Sequence, residues 1–367
     1  MANLPQELIY EILLWFPVKS LLRFRCVSKS FCAIIGSQSF INSHFKRSSE
    51  NKIHPKLIEL GVHRLGNNRC IFHALDFNED FQPELVLYKS FPSMPYPSFF
   101  SYCNGLVLLC IWPCELCLWN PSTRKYRILP AFPVNATVDF KYHNFVLGYD
   151  STTDDFKVVA FMWKVGCGLT QVWIFELRSN CWRRIQDFPY VGYNCIKLGG
   201  NGDCFVDGSL HFICYVRGEY KSYEIVAFDV AKETFSIVHK LAFQTEGIPI
   251  HLHVLGGCLS ISFFSESSEE CVDIYARKKD GDGFTWTRLH SVTRQFSGEA
   301  FDLFVQGKVA YSKKGDKAFL SSKGKLCSYD FGDKTLQEIV SNSNILSVEI
   351  LLCTESLVPI GSLDEEE

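Results

Sequence analysis

The chain has 367 residues, a formal net charge of -3 and 47% hydrophobic residues, enough to bury a sizeable core, and its charge gives no basic surface for a nucleic-acid backbone. Its 16 cysteines are scattered, Met1 leads into Ala-Asn-Leu-Pro-Gln with no basic or apolar leader, and the best apolar run, Leu106 to Trp112, is strand-length. These features argue against a disulfide scaffold and a membrane helix, and for a reducing cytoplasmic or nuclear compartment in which thiols act as small buried hydrophobes.

Residues 4 to 16 place Leu4, Leu8, Ile9, Ile12, Leu13 and Phe16 on one side of a helix at spacings of three and four, with Gln6, Glu7 and Glu11 opposite. Pro5 suits the first turn, where its missing N–H costs nothing, and Pro17 stops the helix. Ser20 is a natural N-cap for a second helix through Leu21 to Arg25, and Ser28 for a third over Lys29 to Ile35, which Gly36 ends. Three helices in about forty residues carry more apolar surface than they bury in one another. The piece therefore reads as a detachable plug with an apolar side for a partner.

From about residue 53 the texture changes to alternating apolar and polar residues, with turn pairs such as Asn104-Gly105, Asp207-Gly208 and Gly256-Gly257. This predicts short antiparallel strands without βαβ units. A weak repeat organises them: "LCLWNPSTRKYRIL" (116–129), "VWIFELRSNCWRRI" (172–185), "IVAFDVAKETFSIV" (225–238) and "KLCSYDFGDKTLQEI" (325–339). Each carries an aromatic, a polar turn and a large apolar residue seven positions on: Trp119 and Tyr126, Phe175 and Trp182, Phe228 and Phe235, Tyr329 and Leu336. "VDIYARKKDGDGFTWTRL" (272–289) fits if Asp280 to Gly283 is a hairpin tip inserted between Tyr275 and Trp286. Each copy reads as one hairpin, preceded by another candidate pair of strands such as Leu106 to Ile111, Leu210 to Tyr215 or Leu259 to Phe264. Roughly fifty residues per four strands is the period of a kelch-like propeller blade. Five units are legible, and residues 57 to 92 supply candidate strands for a sixth.

Candidate chemistry is sparse. Cys110, Cys114 and Cys117 contain one C-x₂-C without a second half, so a hairpin is favoured over a zinc site. His251 and His253 share a strand face but have no third ligand or carboxylate at readable spacing. Gly199 to Asp203 is glycine-rich yet lacks the Lys-Ser/Thr and the helix of a phosphate loop, and Asp280 to Gly283 departs from calcium-loop spacing. No nucleophile elbow is present in the sequence. No cofactor, metal or catalytic residue is expected, and the acidic end Asp364 to Glu367 reads as a solvated terminus.

The opening resembles the F-box. It carries Leu4-Pro5, the pair Glu7-Leu8, the corner Pro17 to Leu21, the run Arg23 to Lys29 and the Phe40-x-x-x-His44 ending; Phe31 stands where the family most often has Trp, and Gln38 where Pro or Asp is common. "CNGLVLLC" (103–110), "LWNPSTRKYRILP" (118–130) and "LGYDSTTDDFKVV" (147–159) resemble the F-box-associated domain of the large plant F-box group. The resemblance implies a small three-helix F-box over residues 1–48, linker and first strands over 49–95, a large all-β, kelch-like propeller domain over 96–360 and an acidic tail over 361–367. It further implies a non-catalytic substrate receptor of a Skp-cullin-F-box ubiquitin ligase. The F-box would dock on a Skp-type adaptor, and through it a cullin–RING core, while the β domain captures the protein to be ubiquitinated.

On that reading Leu4, Pro5, Leu8, Ile9, Ile12, Leu13, Pro17, Val18, Leu21, Leu22 and Val27 face the adaptor or support the face that does. Trp112, Tyr190, Tyr193, Arg217 and Tyr220 are candidate substrate contacts, since exposed aromatics and Arg often carry interface energy. Two other readings stay open: an adaptor-bound scaffold that does not direct degradation, and a propeller enzyme or carbohydrate-binding protein. The last would need convergent polar groups at the propeller mouth.

Overall fold

The computed structural model describes residues 5–50, 56–63, 70–77, 83–88, 97–111, 115–133, 142–163, 170–189, 193–198, 204–216, 223–241, 248–265, 270–281, 283–295, 297–306, 308–312, 314–322, 325–341 and 345–360. The amphipathic stripe at the start folds as α1 (Gln6–Leu13), followed by α2 (Val18–Phe24) and α3 (Lys29–Gly36). Pro17, in extended conformation, takes the N-cap position of α2, so Ser20 lies inside the helix rather than at its start. The proline's fixed φ already opens that turn. Ser28 does cap α3, its Oγ accepting the Phe31 N–H at 3.1 Å. Ser28→Ala is expected to cost about 1 kcal/mol, read as faster amide exchange confined to α3.

A fourth helix, α4 (Gln38–Glu50), corrects the expected count of three. Its buried side chains are Phe40, Ile41, His44 and Ser48; two of these are polar, which hides the stripe from a hydropathy reading. Tyr10 packs edge-on against Phe40 at 5.2 Å and donates its hydroxyl to Ser43 Oγ at 3.1 Å, tying α1 to α4.

Beyond the helices, six antiparallel sheets form among the described residues. The first blade is β1 (Lys56–His63), β2 (Cys70–Phe77) and β3 (Pro83–Tyr88), completed by the chain's last strand, β25 (Ile345–Cys353), on β1. The second is β4 (Pro97–Cys103), β5 (Leu106–Ile111), β6 (Glu115–Asn120) and β7 (Lys125–Ile128). The third is β8 (Tyr142–Asp150), β9 (Asp155–Trp163), β10 (Thr170–Glu176) and β11 (Cys181–Arg184). The fourth holds β12 (Tyr193–Leu198), β14 (Ser209–Val216), β15 (Tyr223–Asp229) and β16 (Thr234–Leu241), with short β13 (Phe205–Val206) on β14. The fifth is β17 (Ile248–Leu255), β18 (Cys258–Ser265), β19 (Cys271–Asp280) and β20 (Gly283–Thr293); the sixth is β21 (Lys308–Tyr311), β22 (Lys317–Ser322), β23 (Lys325–Asp330) and β24 (Thr335–Ser341). A helix, α5 (Gly298–Gln306), stands between β20 and β21 and buries Phe301 and Phe304. Contacts run from β25 to β4, then to β8, β14, β17, β21 and back to β25, closing a propeller ring. Pairing of β25 with β1 gives the first blade its fourth strand and covers the edge that β1 would otherwise present.

The sequence repeat is the hairpin of the last two strands of a blade. Trp119 pairs with Tyr126, Phe175 with Trp182, Phe228 with Phe235 and Tyr329 with Leu336, directly across the ladder. A side-chain turn fixes this register: Asn120 Oδ1 accepts the N–H groups of Ser122 and Thr123, Asp229 those of Ala231 and Lys232, and Asp330 those of Gly332 and Asp333. The residue before the return strand is left-handed in each, at Arg124, Glu233 and Lys334. The fifth copy is different. Its two-residue turn between Asp280 and Gly283 sets Tyr275 opposite Arg288 and Trp286 opposite Arg277, so the expected Tyr275–Trp286 pair does not form.

Past β25 the chain crosses the second blade and enters the helical unit. Tyr102 Oη accepts the Thr354 N–H at 2.7 Å, and Ser122 Oγ accepts that of Ser356 at 3.1 Å. Asn120 Nδ2 donates to the Ser356 and Val358 carbonyls at 3.1 and 2.9 Å, and Arg127 Nη1 to that of Ile360 at 3.2 Å. Leu357 then joins Leu13, Leu14, Val18, Leu21, Ile34, Ile35, Phe40 and Ile41 in one core. The helices are therefore not a detachable plug, because the chain's end supplies part of their core.

Candidate functional site

The helical unit turns a set of large apolar side chains outward. Leu8, Ile12 and Trp15 follow one another at spacings of four and three along α1 and the turn after it, and they stay 50%, 49% and 53% exposed. Val27, just beyond α2, is 67% exposed, and Phe16 at the corner is 37% exposed. Arg25 and Lys29, both exposed, stand two positions to either side of Val27 in the sequence. Large apolar side chains left exposed along one stripe of a helix make it a candidate protein-docking surface.

The residues singled out in the sequence divide by burial. Pro5, Leu8, Ile12 and Val27 are exposed, and Ile9, Pro17 and Leu22 are half-buried. Leu13, Val18 and Leu21 are buried within the unit, so they support the face rather than meet a partner on it. Leu4 lies outside the described residues. Trp15 and Phe16 were not among the expected contacts, although the spacing from Leu8 through Ile12 leads to Trp15. The Arg47 guanidinium of α4 lies 3.7 Å over the Trp15 ring and bonds Glu11 at 3.2 Å, which holds the indole in place. Phe16 packs edge-on against Phe24 at 5.1 Å.

The corner between α1 and α2 is fastened from beneath. His44 Nε2 lies 2.9 Å from the Phe16 carbonyl, and the Val18 N–H donates to Glu355 Oε2 at 2.9 Å. Burial holds the His44 imidazole below its ordinary value, opposed by the Phe16 bond and by the attraction of Glu355.

At the propeller, Phe45 and Glu50 of α4 face a cavity of about 420 Å³ shared with Tyr102, His251, His253 and Tyr311. His253 is stacked on Tyr311 at 4.3 Å, and burial, followed by the nearby His251, pushes its pKa down to about 3. It is a neutral core imidazole. Cys110 and Cys117 are buried on neighbouring strands, and burial pushes the Cys117 thiol up to about 12; Cys114 lies outside the described residues. Among the described residues no group of three or more His, Cys, Asp or Glu side chains is arranged to hold a metal. No helix among them is long and apolar enough to cross a membrane. Trp112, Tyr190, Arg217 and Tyr220, the glycine-rich 199–203 and the acidic end lie outside the described residues. Tyr193 opens β12.

A docking face on a small helical unit, carried by a closed propeller, defines a two-part binding protein. The F-box domain family matches residues 1–43, and the F-box associated beta propeller domain family matches residues 72–360. The chain belongs to the F-box associated beta propeller family and is an F-box protein. It is similar to F-box protein CPR1 of Arabidopsis thaliana, 28% identical over 98% of this chain and 89% of that one. F-box protein At4g22390 of the same plant is 29% identical over 82% and 77%, and the F-box/kelch-repeat protein At3g23880 is 26% identical over 79% of each chain.

Proposed function

We propose that this protein is a substrate receptor of a Skp-cullin-F-box ubiquitin ligase and contributes no catalytic group itself. The observation that carries this reading is the exposed stripe Leu8, Ile12 and Trp15 with Val27, on a unit of F-box family. A Skp-type adaptor would cover the stripe and join it to a cullin–RING core in the cytoplasm or nucleus, while the propeller holds the protein to be modified. The receptor then acts by position: it raises the effective concentration of substrate lysines near a ubiquitin-charged enzyme on the same scaffold.

Ile12→Asp with Val27→Asp puts two charges on the face without entering the core. Adaptor affinity of the full-length protein is expected to fall by at least about 100-fold, with the propeller's thermal unfolding unchanged. Undiminished co-purification would overturn the reading. Leu21→Asp would not probe the face, since Leu21 is fully buried and a charge there is expected to unfold the unit. A bound protein that accumulates under proteasome inhibition only when residues 4–44 are present separates degradation from scaffolding.

A further inference from the structure

We propose that Glu355 is a positioning residue for adaptor docking: from the far end of the chain, its carboxylate fixes the Phe16–Pro17–Val18 corner that sets α1, with its exposed stripe, relative to α2. The proposal rests on reading the helical unit as an adaptor-docking module.

Pro17 has no N–H, so the backbone handles of this corner are the Phe16 carbonyl before it and the Val18 N–H after it. Each is taken by a buried side chain from elsewhere. His44 of α4, 2% exposed, bonds the carbonyl at 2.9 Å. Glu355, 4% exposed, bonds the N–H at 2.9 Å across 337 positions of sequence. A carbonyl only accepts, so the His44 proton sits on Nε2. Two residues past Glu355, Leu357 enters the helical core, and Asn120 Nδ2 grips the Ser356 and Val358 carbonyls on either side of it.

Glu355 is thus held by a segment whose path the second blade dictates, and it cannot follow the corner if the corner turns. Ile12 and Trp15 precede that corner and Val27 follows it, so a rotation there changes how they are placed relative to one another. Fixing the corner before the partner arrives removes an ordering cost from docking. It also gives the propeller a defined stance relative to the adaptor.

The test uses full-length protein, with calorimetric affinity for a Skp-type adaptor and amide exchange at Val18. Glu355→Ala removes the acceptor and is expected to weaken adaptor binding about tenfold, with Val18 exchange at least about tenfold faster. Glu355→Gln keeps an oxygen acceptor in place. It is expected to restore both readouts to within about threefold of wild type. Unchanged adaptor affinity in Glu355→Ala overturns the proposal. So does faster exchange throughout α1 to α4, which marks general loss of fold, or a Gln variant no better than Ala. Wild-type protein that binds no adaptor overturns the functional reading and the docking role together, and Val18 exchange in Glu355→Ala still shows whether the corner is held.

Discussion

Lys157→Met is expected to destabilise the propeller by about 3 to 5 kcal/mol, because it leaves a buried carboxylate without its cation. Lys157 Nζ lies 2.9 Å from Asp150 Oδ2 and 3.0 Å from Glu233 Oε1, and it donates to the Val230 carbonyl at 3.0 Å. Asp150 is 1% exposed, and Glu233 also receives Arg183. Lys157 and Asp150 belong to the third blade, and Val230 and Glu233 to a turn of the fourth, so the ammonium joins the two blades. Burial alone would raise the Asp150 carboxyl, but hydrogen bonds from Thr152, Lys157 and Thr153 outweigh it and hold the group well below its ordinary 3.8. A depressed carboxylate stabilises the fold above its unfolded value, and that contribution is lost as pH falls through the folded one. The gap between wild type and Lys157→Met should therefore be full at pH 7 and shrink in acid. Urea denaturation of both proteins at several pH values measures it. A gap of under about 1 kcal/mol at neutral pH, or one that widens in acid, would show that the pair does not bear on stability.

Much of the propeller was legible for a local reason. In three copies of the sequence repeat, Asn120, Asp229 and Asp330 capture the N–H groups two and three positions ahead, so the register is written within a few residues and the aromatic pairs follow from spacing. Where the turn chemistry changes, at Gly281, the same spacing rule fails and Tyr275 meets Arg288. The first blade was half legible: β1 to β3 run from Lys56 to Tyr88, nearly all within the stretch 57 to 92 that offered a further unit, but their fourth strand comes from the other end of the chain. Lys157 reads as an ordinary polar position of an alternating strand, and its partners lie in another blade. Asn120 stands in a recognisable stretch, yet nothing local shows that its amide grips the chain's end.

The docking face divided in the same way. Leu8 and Ile12 are exposed because α1 is apolar on two sides, with an inner stripe through Leu13 and an outer one that continues to Trp15. Hydropathy alone does not separate inner from outer, so Val18 and Leu21 stand in one set with Leu8 and Ile12, without a division into facing and supporting residues. Only the placement of α4 and Leu357 decides which side is covered.

Gly105→Ala is expected to cost about 2 to 5 kcal/mol, from two sources that a mutant cycle separates. Gly105 closes the β4–β5 turn at φ +84°, where any side chain is strained, and its partner Asn104 is already left-handed. A methyl group there would also stand 2.2 Å from Ser356 Cβ and 3.2 Å from the Thr354 carbonyl, inside the segment that runs on to Glu355. Strain in the turn accounts for about 1 to 3 kcal/mol, and the collision for a similar amount. Ser356→Gly removes the colliding atom but leaves the turn unchanged, at the expense of the Oγ that accepts the Val358 N–H at 3.1 Å. In that background Gly105→Ala should cost the strain and the milder crowding against the Thr354 carbonyl, and the coupling between the two sites should be about 1 to 3 kcal/mol. Since the collision pushes the chain's end off the second blade, Gly105→Ala should also speed amide exchange at Leu357 and, through Glu355, at Val18. Equal costs in both backgrounds would mean that the segment does not lie against the turn, and that the helical unit is not held through it.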